Sequence, residues 1–350
     1  MNNTTLVIGD PHIQVSSMQE FKKFLKKLLE YVDTKKDYNW IIVLGDVLHD
    51  HERVHSTALN VAVEFLEELS RRAPTYCLVG NHDLINNSQF LTSNHWMNAL
   101  KHRNGITIVD KVIIERWGNE KVVLAPFVPP GRLKEALDTA PESWTDAAIV
   151  FAHQEIKGCK MGAIISEIGD EWDEDNDPFL VSGHIHQNQT PQPNVYYPGS
   201  AIQVAFGESE KNIIAKVPIE SNIGRDQIEE IELGLQRKKI VYSDTNNVSD
   251  ILKSLEKGGK YEGYKLKVCL DGTSEEFKSV KKTADFKKLK KKGIKIVHKR
   301  TKSAIRIDNE KISQEIKQAK NGTFKEILHK IVQEHESKEI KKAYTTIIDI

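Results

Sequence analysis

Trp40-Ile41-Ile42-Val43-Leu44-Gly45-Asp46 is an uninterrupted apolar run that stops on a glycine and a carboxylate. A strand buried on both faces reads this way, whereas a half-exposed strand alternates apolar with polar. The same grammar recurs on either side. Leu6-Val7-Ile8 ends at Gly9-Asp10, and the run from Tyr76 to Val79 ends at Gly80-Asn81-His82-Asp83. Between these runs Phe21, Phe24, Leu25, Leu28, Leu29 and Val32 keep helical spacing, with lysines on the other face. Ala58, Ala62, Phe65, Leu66 and Leu69 mark a second amphipathic helix. The series is β-α-β-α-β, the pattern of an α/β domain. Further strands are expected over 106–109, 121–125, 147–152, 179–182 and 195–197, with 213–217 closing the sheet system and 221–225 as a linker.

A chain of 350 residues leads to an expectation of two or three units. Its formal net charge is zero, so bulk charge nominates no partner, and any affinity for nucleic acid must come from a local patch. Cys77, Cys159 and Cys269 are too few and too far apart for a disulfide framework, and no pair has zinc-finger spacing. The first residues lack the basic and apolar regions of a signal peptide. No apolar run approaches the ~20 residues that span a bilayer. The expectation is an intracellular, cytoplasmic protein without a membrane partner.

Polar residues gather where the apolar runs stop, which is where open α/β sheets form their sites. In chain order they are Asp10-Pro11-His12, Gly45-Asp46, Gly80-Asn81-His82-Asp83, Ala152-His153 and Gly183-His184-Ile185-His186. One histidine after a strand is commonly structural. Five such groups in one chain point to a shared metal site. The chemistry has a use for each donor. A carboxylate can bridge two cations, imidazoles add donors without charge, and an asparagine carbonyl is a hard oxygen ligand. Mixed nitrogen and oxygen donors without sulfur favour Mn2+, Fe2+ or Zn2+ over Ca2+ or an iron–sulfur cluster. Two cations ~3.5–4 Å apart can clamp the attacking and leaving oxygens of a displacement at phosphorus.

The ordered set D-x-H, GD, GNHD, H, GHxH resembles the signature of calcineurin-like metallophosphoesterases, over roughly the first 190 residues. That resemblance implies a two-sheet α-β-β-α sandwich holding two divalent metal ions, Mn2+ first among them. Asp10, His12, Asp46 and His186 would hold one ion. Asp46, Asn81, His153 and His184 would hold the other, with Asp46 bridging. A metal-bound hydroxide would be the nucleophile, and His82 would face the leaving group as proton donor or charge stabiliser. Asp83 would orient His82; the plainer reading makes it a turn residue.

Phosphoprotein phosphatases of this superfamily continue GD into a G-D-x-V-D-R-G stretch and use GNHE. Here Gly45-Asp46-Val47-Leu48-His49-Asp50 lacks the arginine, whose planar fork grips phosphoryl groups. The stretch instead resembles the nuclease subunit of SbcCD-type DNA repair complexes, where GD precedes two apolar residues and a histidine. His49 would then sit beside the metals and help position the scissile phosphate, or else be a surface histidine near the site. Tyr197-Pro198-Gly199-Ser200 and Ala205-Phe206-Gly207-Glu208 are similar to the Y-x-G-S and F-G-E of SbcD-like proteins.

The same resemblance implies three parts: a catalytic domain over 1–220, a small α+β capping domain that contacts DNA over 226–302, and a helical C-terminal tail over 305–350 that docks on an SbcC-type coiled-coil ATPase. For the cap, the sequence suggests strands over 240–242, 265–270 and 294–297 and a helix over 248–255. A homodimer would form through helices over 18–32 or 57–70. The chain is short for a cellular SbcD and suits a compact phage-type form, which would act in the host cytoplasm. Between Lys278 and Lys302 lysines crowd together, Lys287, Lys288, Lys290, Lys291 and Lys292 among them, and Asp285 is the only acid. Such a run is commonly a solvated face; in a neutral chain it also concentrates charge for DNA phosphates. Phe324, Ile327, Leu328, Ile331 and Val332 form a stripe that would dock the ATPase or pack on its own domain. The acidic stretch over 170–177 is expected to be a solvated loop. The expected function is a two-metal DNA exonuclease or endonuclease of repair or recombination. A small-molecule phosphodiesterase or phosphatase, and a non-catalytic DNA-binding scaffold, remain as alternatives.

Overall fold

The computed structural model describes residues 3–300 apart from position 52, together with Val332 and Tyr344. The chain opens with β1 (Thr4–Ile8), α1 (Met18–Thr34), β2 (Trp40–Val43), α2 (Ser56–Ser70), β3 (Thr75–Leu78) and β4 (Ile106–Val109). It continues with β5 (Ile113–Trp117), β6 (Glu120–Leu124), α3 (Leu133–Leu137), β7 (Ile149–His153), β8 (Lys160–Met161), β9 (Ile164–Ile165) and β10 (Phe179–Gly183). Then come β11 (Gln189–Gln192), β12 (Val195–Tyr197), β13 (Ile214–Pro218) and β14 (Glu229–Ile231). A last unit holds β15 (Lys238–Asp244), α4 (Val248–Ser254), β16 (Lys265–Gly272), α5 (Ser274–Val280), α6 (Ala284–Lys291) and β17 (Lys295–Arg300).

Two six-stranded sheets form the catalytic unit, ordered β14-β13-β1-β2-β3-β4 and β11-β12-β10-β7-β6-β5. Strands β1 to β4 run parallel, as do β6, β7, β10 and β12. Alternate residues of β2 explain its unbroken apolar run. Ile41 and Val43 pack with Phe21, Phe24, Phe65 and Leu66 of α1 and α2. Ile42 and Leu44 meet Val122, Phe151 and Val181 of the facing sheet. The outer face of the second sheet, at Val123, Val150 and Leu180, is covered by Leu133, Ala136 and Leu137 of α3. The layers are therefore α-β-β-α, as expected. Each fully buried Val, Leu or Ile contributes roughly 1.5–3 kcal/mol. A one-residue slip of β2 would exchange its two faces, so this burial fixes the register.

The first sheet reaches further along the chain than the sequence suggests. β13 does not close it, because β14 pairs outside β13. Ile223 of the expected linker and Ile228 of the expected cap belong to the core between the sheets. The catalytic unit thus runs past 220 to about Ile231. Glu229-Glu230-Ile231 carries no strand signal because a three-residue edge strand with one apolar side chain, the half-buried Ile231, is too short to show a period. The acidic stretch is also not wholly a solvated loop. Asp170 is buried and accepts hydrogen bonds from Leu133 N and Gln154 Nε2, both at 2.8 Å, and Trp172 packs in the core. Asp173, Glu174 and Asp175 are exposed.

The last unit is a parallel sheet ordered β15-β16-β17. Its core joins Val241, Val268 and Leu270 to Phe286 and Leu289 of α6. It is tied to the catalytic unit by Lys238 and Lys265, which both pair with Glu20 of α1. Gln203 adds a two-way bridge to the Lys238 backbone, accepting at 2.5 Å and donating at 2.9 Å. Among the described residues no helix is long and apolar enough to cross a membrane. The expected tail over 305–350, with its stripe, lies outside the described residues except for Val332 and Tyr344.

Candidate metal centre

Every expected ligand follows a strand end, and packing the two sheets face to face brings those ends together. Two glycines permit the approach. A Cβ on Gly80 would lie 2.2 Å from Asp46 Oδ1, and one on Gly45 would lie 2.6 Å from His153 Nδ1. Four site residues hold left-handed backbone: Asp10 (φ 32°), His12 (φ 45°), Asp46 (φ 49°) and His184 (φ 76°). Each costs roughly 1–2 kcal/mol for a residue with a Cβ. Such strain persists only where the surroundings over-determine it, and it clusters at functional sites.

The donor atoms of His12, Asp46 and His186 all lie within 4.8 Å of one another, and so do those of Asp46, His153 and His184. Asp46 is common to both groups. Its Oδ2 is 3.5 Å from His12 Nε2, and its Oδ1 is 3.4 Å from His153 Nε2. The Nε2 atoms of His12 and His186 approach to 2.8 Å. Asn81 Oδ1 is 3.1 Å from His153 Nε2 and 2.9 Å from His184 Nδ1. Asp10 stands outside these mutually close donors, beside the second group. Its Oδ1 accepts from His184 N at 3.0 Å and lies 3.5 Å from His153 Nδ1. Its Oδ2 is buried without a hydrogen-bond partner. Leaving a carboxylate oxygen so is costly, and a cation would remove the cost. Lone pairs that converge on one another, an orphaned buried oxygen and the absence of sulfur all fit a pair of divalent cations.

The ring orientations are set from outside. His153 Nδ1 lies 2.6 Å from Leu44 O, so that nitrogen carries the proton and Nε2 faces the centre. His186 Nδ1 lies 3.0 Å from Glu208 Oε1, which likewise turns Nε2 inward. Glu208 is itself held by Ala205 N at 2.8 Å. The F-G-E stretch has no role legible in the sequence, and this contact supplies one. Outer partners of ligating histidines typically matter 10–100-fold in metal affinity or activity. Glu208→Gln is therefore expected to weaken metal binding or turnover by roughly that factor, read by calorimetric titration of Mn2+ beside ester hydrolysis. Wild-type values for both would exclude the role.

Burial and mutual charge tune the cluster. Burial, with repulsion from His153, drives His184 down to about 3. Burial also lowers His12 well below the usual range, against the pull of Asp46. Both rings are thus neutral and offer lone pairs. Burial works against ionising Asp46, yet the imidazoles of His153 and His12 hold it well below ordinary carboxylates. His153 is opposed by burial but raised to about 9 by Asp46 and Asp10.

His82 N donates to Asp46 Oδ1 at 2.8 Å, and its ring Nδ1 lies 2.5 Å from the carbonyl oxygen of His49. The expectation that Asp83 orients His82 is corrected here. Asp83 turns inward and accepts from Gly80 N at 3.1 Å, Val47 N and Leu48 N at 3.3 Å, and Trp96 Nε1 at 2.9 Å. It stitches the loop after β2 to the loop after β3, and burial together with the charge of Asp46 pushes it up to about 7. The His49 carbonyl orients His82 instead. The His49 ring lies beside the centre as expected, its Nδ1 3.3 Å from His12 Nδ1. His51, which stands outside the expected set, stacks on His82 at 4.2 Å between centroids. Trp96 carries no sequence signal at all.

A family described as calcineurin-like phosphoesterase matches residues 4–188. The chain belongs to that family. The match takes in every expected metal ligand of this phosphoesterase, from Asp10 to His186, and stops short of Glu208. Two viral relatives bear provisional phosphoesterase names. Protein 078R of Invertebrate iridescent virus 3 is 42% identical over 298 residues, 85% of this chain and 84% of its own. Protein 244L of Invertebrate iridescent virus 6 is 40% identical over 285 residues, 80% of this chain and 98% of its own. Among solved structures, purple acid phosphatase PPD1 from yellow lupin seeds aligns with 62% of this phosphoesterase and 49% of itself, at 11% identity and a TM-score of 0.41. The calcineurin-like family uses divalent metals, and the aspartate and histidine groups here are a place for them.

Proposed function

We propose that this phosphoesterase is a two-metal DNA nuclease, exo- or endonucleolytic, and the catalytic subunit of an SbcCD-like repair or recombination complex. The observation that carries the DNA reading is the surface of α6. Phe286 and Leu289 turn into the core, and Lys287, Lys288, Lys290, Lys291 and Lys292 are all exposed. In a chain of zero net charge this is a concentrated cationic face. It is suited to the phosphate backbone rather than to one small anion.

Asp10, His12, Asp46 and His186 would hold one cation, and Asp46, Asn81, His153 and His184 the other, with Mn2+ the first choice. Such ions neutralise phosphoryl oxygens and make a bound water more acidic. With Nδ1 held by the His49 carbonyl, His82 presents Nε2 to the departing oxygen. A complete donor set argues against a retired, purely scaffolding site. The SbcC-type ATPase is the proposed partner of the 305–350 segment. A homodimer built on α1 or α2 would use their polar sides, since Phe21, Phe24, Phe65 and Leu66 already cover the first sheet.

The protein is expected to cleave linear duplex DNA in the presence of Mn2+ and to hydrolyse bis-nitrophenyl phosphate as well. Reversing the charge of Lys287, Lys288, Lys290 and Lys291 should weaken DNA binding and flatten its salt dependence, by about one unit of slope for each phosphate no longer neutralised. An unchanged slope would remove α6 from the interface. Hydrolysis of the nitrophenyl ester without any cleavage of DNA would favour the small-molecule phosphodiesterase instead.

A further inference from the structure

A cavity of about 740 Å³ borders the candidate metal centre, with His184 and His186 in its lining. Lys160, Met161 and Gly162 of the β8–β9 hairpin contribute to its lining, and so do Phe206 and Gly207. Its volume is that of a small-molecule site. His82 and His49 take no part in its lining. Whatever fills the cavity therefore lies against the GHxH histidines and away from His82 and His49.

We propose that this cavity holds the nucleoside retained on the phosphoryl group, its base against the Met161 and Phe206 side chains that line it. The proposal rests on the phosphodiester reading and adds to it a subsite with a chemical preference. Hydrolysis joins a water oxygen to phosphorus and breaks the bond to the leaving oxygen, which takes up a proton. The group on the far side from His82 stays on the product.

The lining matches that group. A thioether and an aromatic ring suit the flat, polarisable faces of a base, and stacking of this kind tolerates any of the bases. Lys160 is exposed at the cavity wall, so its charge can meet the next phosphate along a strand. The hairpin is anchored for the purpose. Gln189 Oε1 accepts from Lys160 N at 2.7 Å, and Gln189 Nε2 donates to Lys160 O at 2.8 Å. Ile164, Ile165 and Ile168 around the same hairpin are 66%, 57% and 74% exposed. Apolar surface left open beside a catalytic centre marks a contact with something other than water.

Two esters with one leaving group test this: thymidine 5′-(4-nitrophenyl phosphate) and methyl 4-nitrophenyl phosphate, each assayed with the Mn2+-loaded protein. The thymidine ester is expected to have a kcat/KM about tenfold or more above that of the methyl ester, the gain lying in KM. Phe206→Ala should collapse that ratio toward one and Phe206→Trp should restore it. Saturation-transfer NMR of thymidine with the metal-free protein should label the base protons, and the label should vanish in Phe206→Ala at unchanged circular dichroism. Equal kcat/KM for the two esters, or a ratio untouched by Phe206→Ala and Met161→Glu, would overturn the subsite while leaving phosphodiester hydrolysis standing. Hydrolysis of 4-nitrophenyl phosphate with neither diester cleaved would remove the phosphodiester reading, and the subsite with it.

Discussion

Asp46→Ala protein is expected to lose its bound divalent metal and to turn over substrate at least about 10³-fold more slowly. Among the described residues Asp46 is the donor common to the His12–Asp46–His186 and Asp46–His153–His184 groups, and it is 1% exposed. One oxygen faces His12 at 3.5 Å and the other faces His153 at 3.4 Å. Two neighbouring cations repel each other, and a bridging carboxylate is what makes their proximity tolerable. The loss follows from magnitudes. Metal stabilisation of transition-state charge is worth several kcal/mol, and each ~1.4 kcal/mol is tenfold in rate. Asp46 also accepts the His82 backbone N–H at 2.8 Å, so its removal loosens the His82 loop as well. Elemental analysis after dialysis against Mn2+, beside ester hydrolysis, reads both effects. Two ions per chain retained by the variant would show that Asp46 is not the bridge.

His82→Asn should behave differently, keeping its metal while turnover falls ~10²–10⁴-fold, the usual size of a general-acid contribution. The His82 ring is held by the His49 carbonyl at 2.5 Å and packed by His51, and its ring donor groups with those of His12 and His49, outside the two groups that share Asp46. Burial lowers its pKa against the opposing charge of Asp46. The test is a pair of measurements on one sample, metal content and kcat. Full turnover would dismiss His82 as the donor. Loss of metal together with kcat would recast it as a ligand.

These expectations come largely from local sequence, and the corrections come from contacts between distant residues. The apolar runs of β1, β2 and β3 are legible because burial on both faces leaves no alternation to misread. The stripes of α1 and α2 are legible because a helix repeats its buried face within a few residues. β14 is not, since Glu229-Glu230-Ile231 is a three-residue edge strand with a single apolar residue, Ile231, to mark the face it packs on the core. Asp170 reads in sequence as part of a solvated acidic loop, because nothing beside it announces Leu133 N and Gln154 as partners.

The candidate ligands belong to the sequence: Asp10, His12, Asp46, Asn81, His153, His184 and His186 are chemically distinctive side chains at strand ends, and parallel strands carry their ends to one edge. Which lone pair faces which, the left-handed backbone of Asp10, His12, Asp46 and His184, the Glu208 support of His186 and the inward turn of Asp83 were decided by tertiary structure alone. Local periodicity records only whether a residue is buried. Its partner is fixed by how two sheets, built from segments more than a hundred residues apart, come to rest against each other.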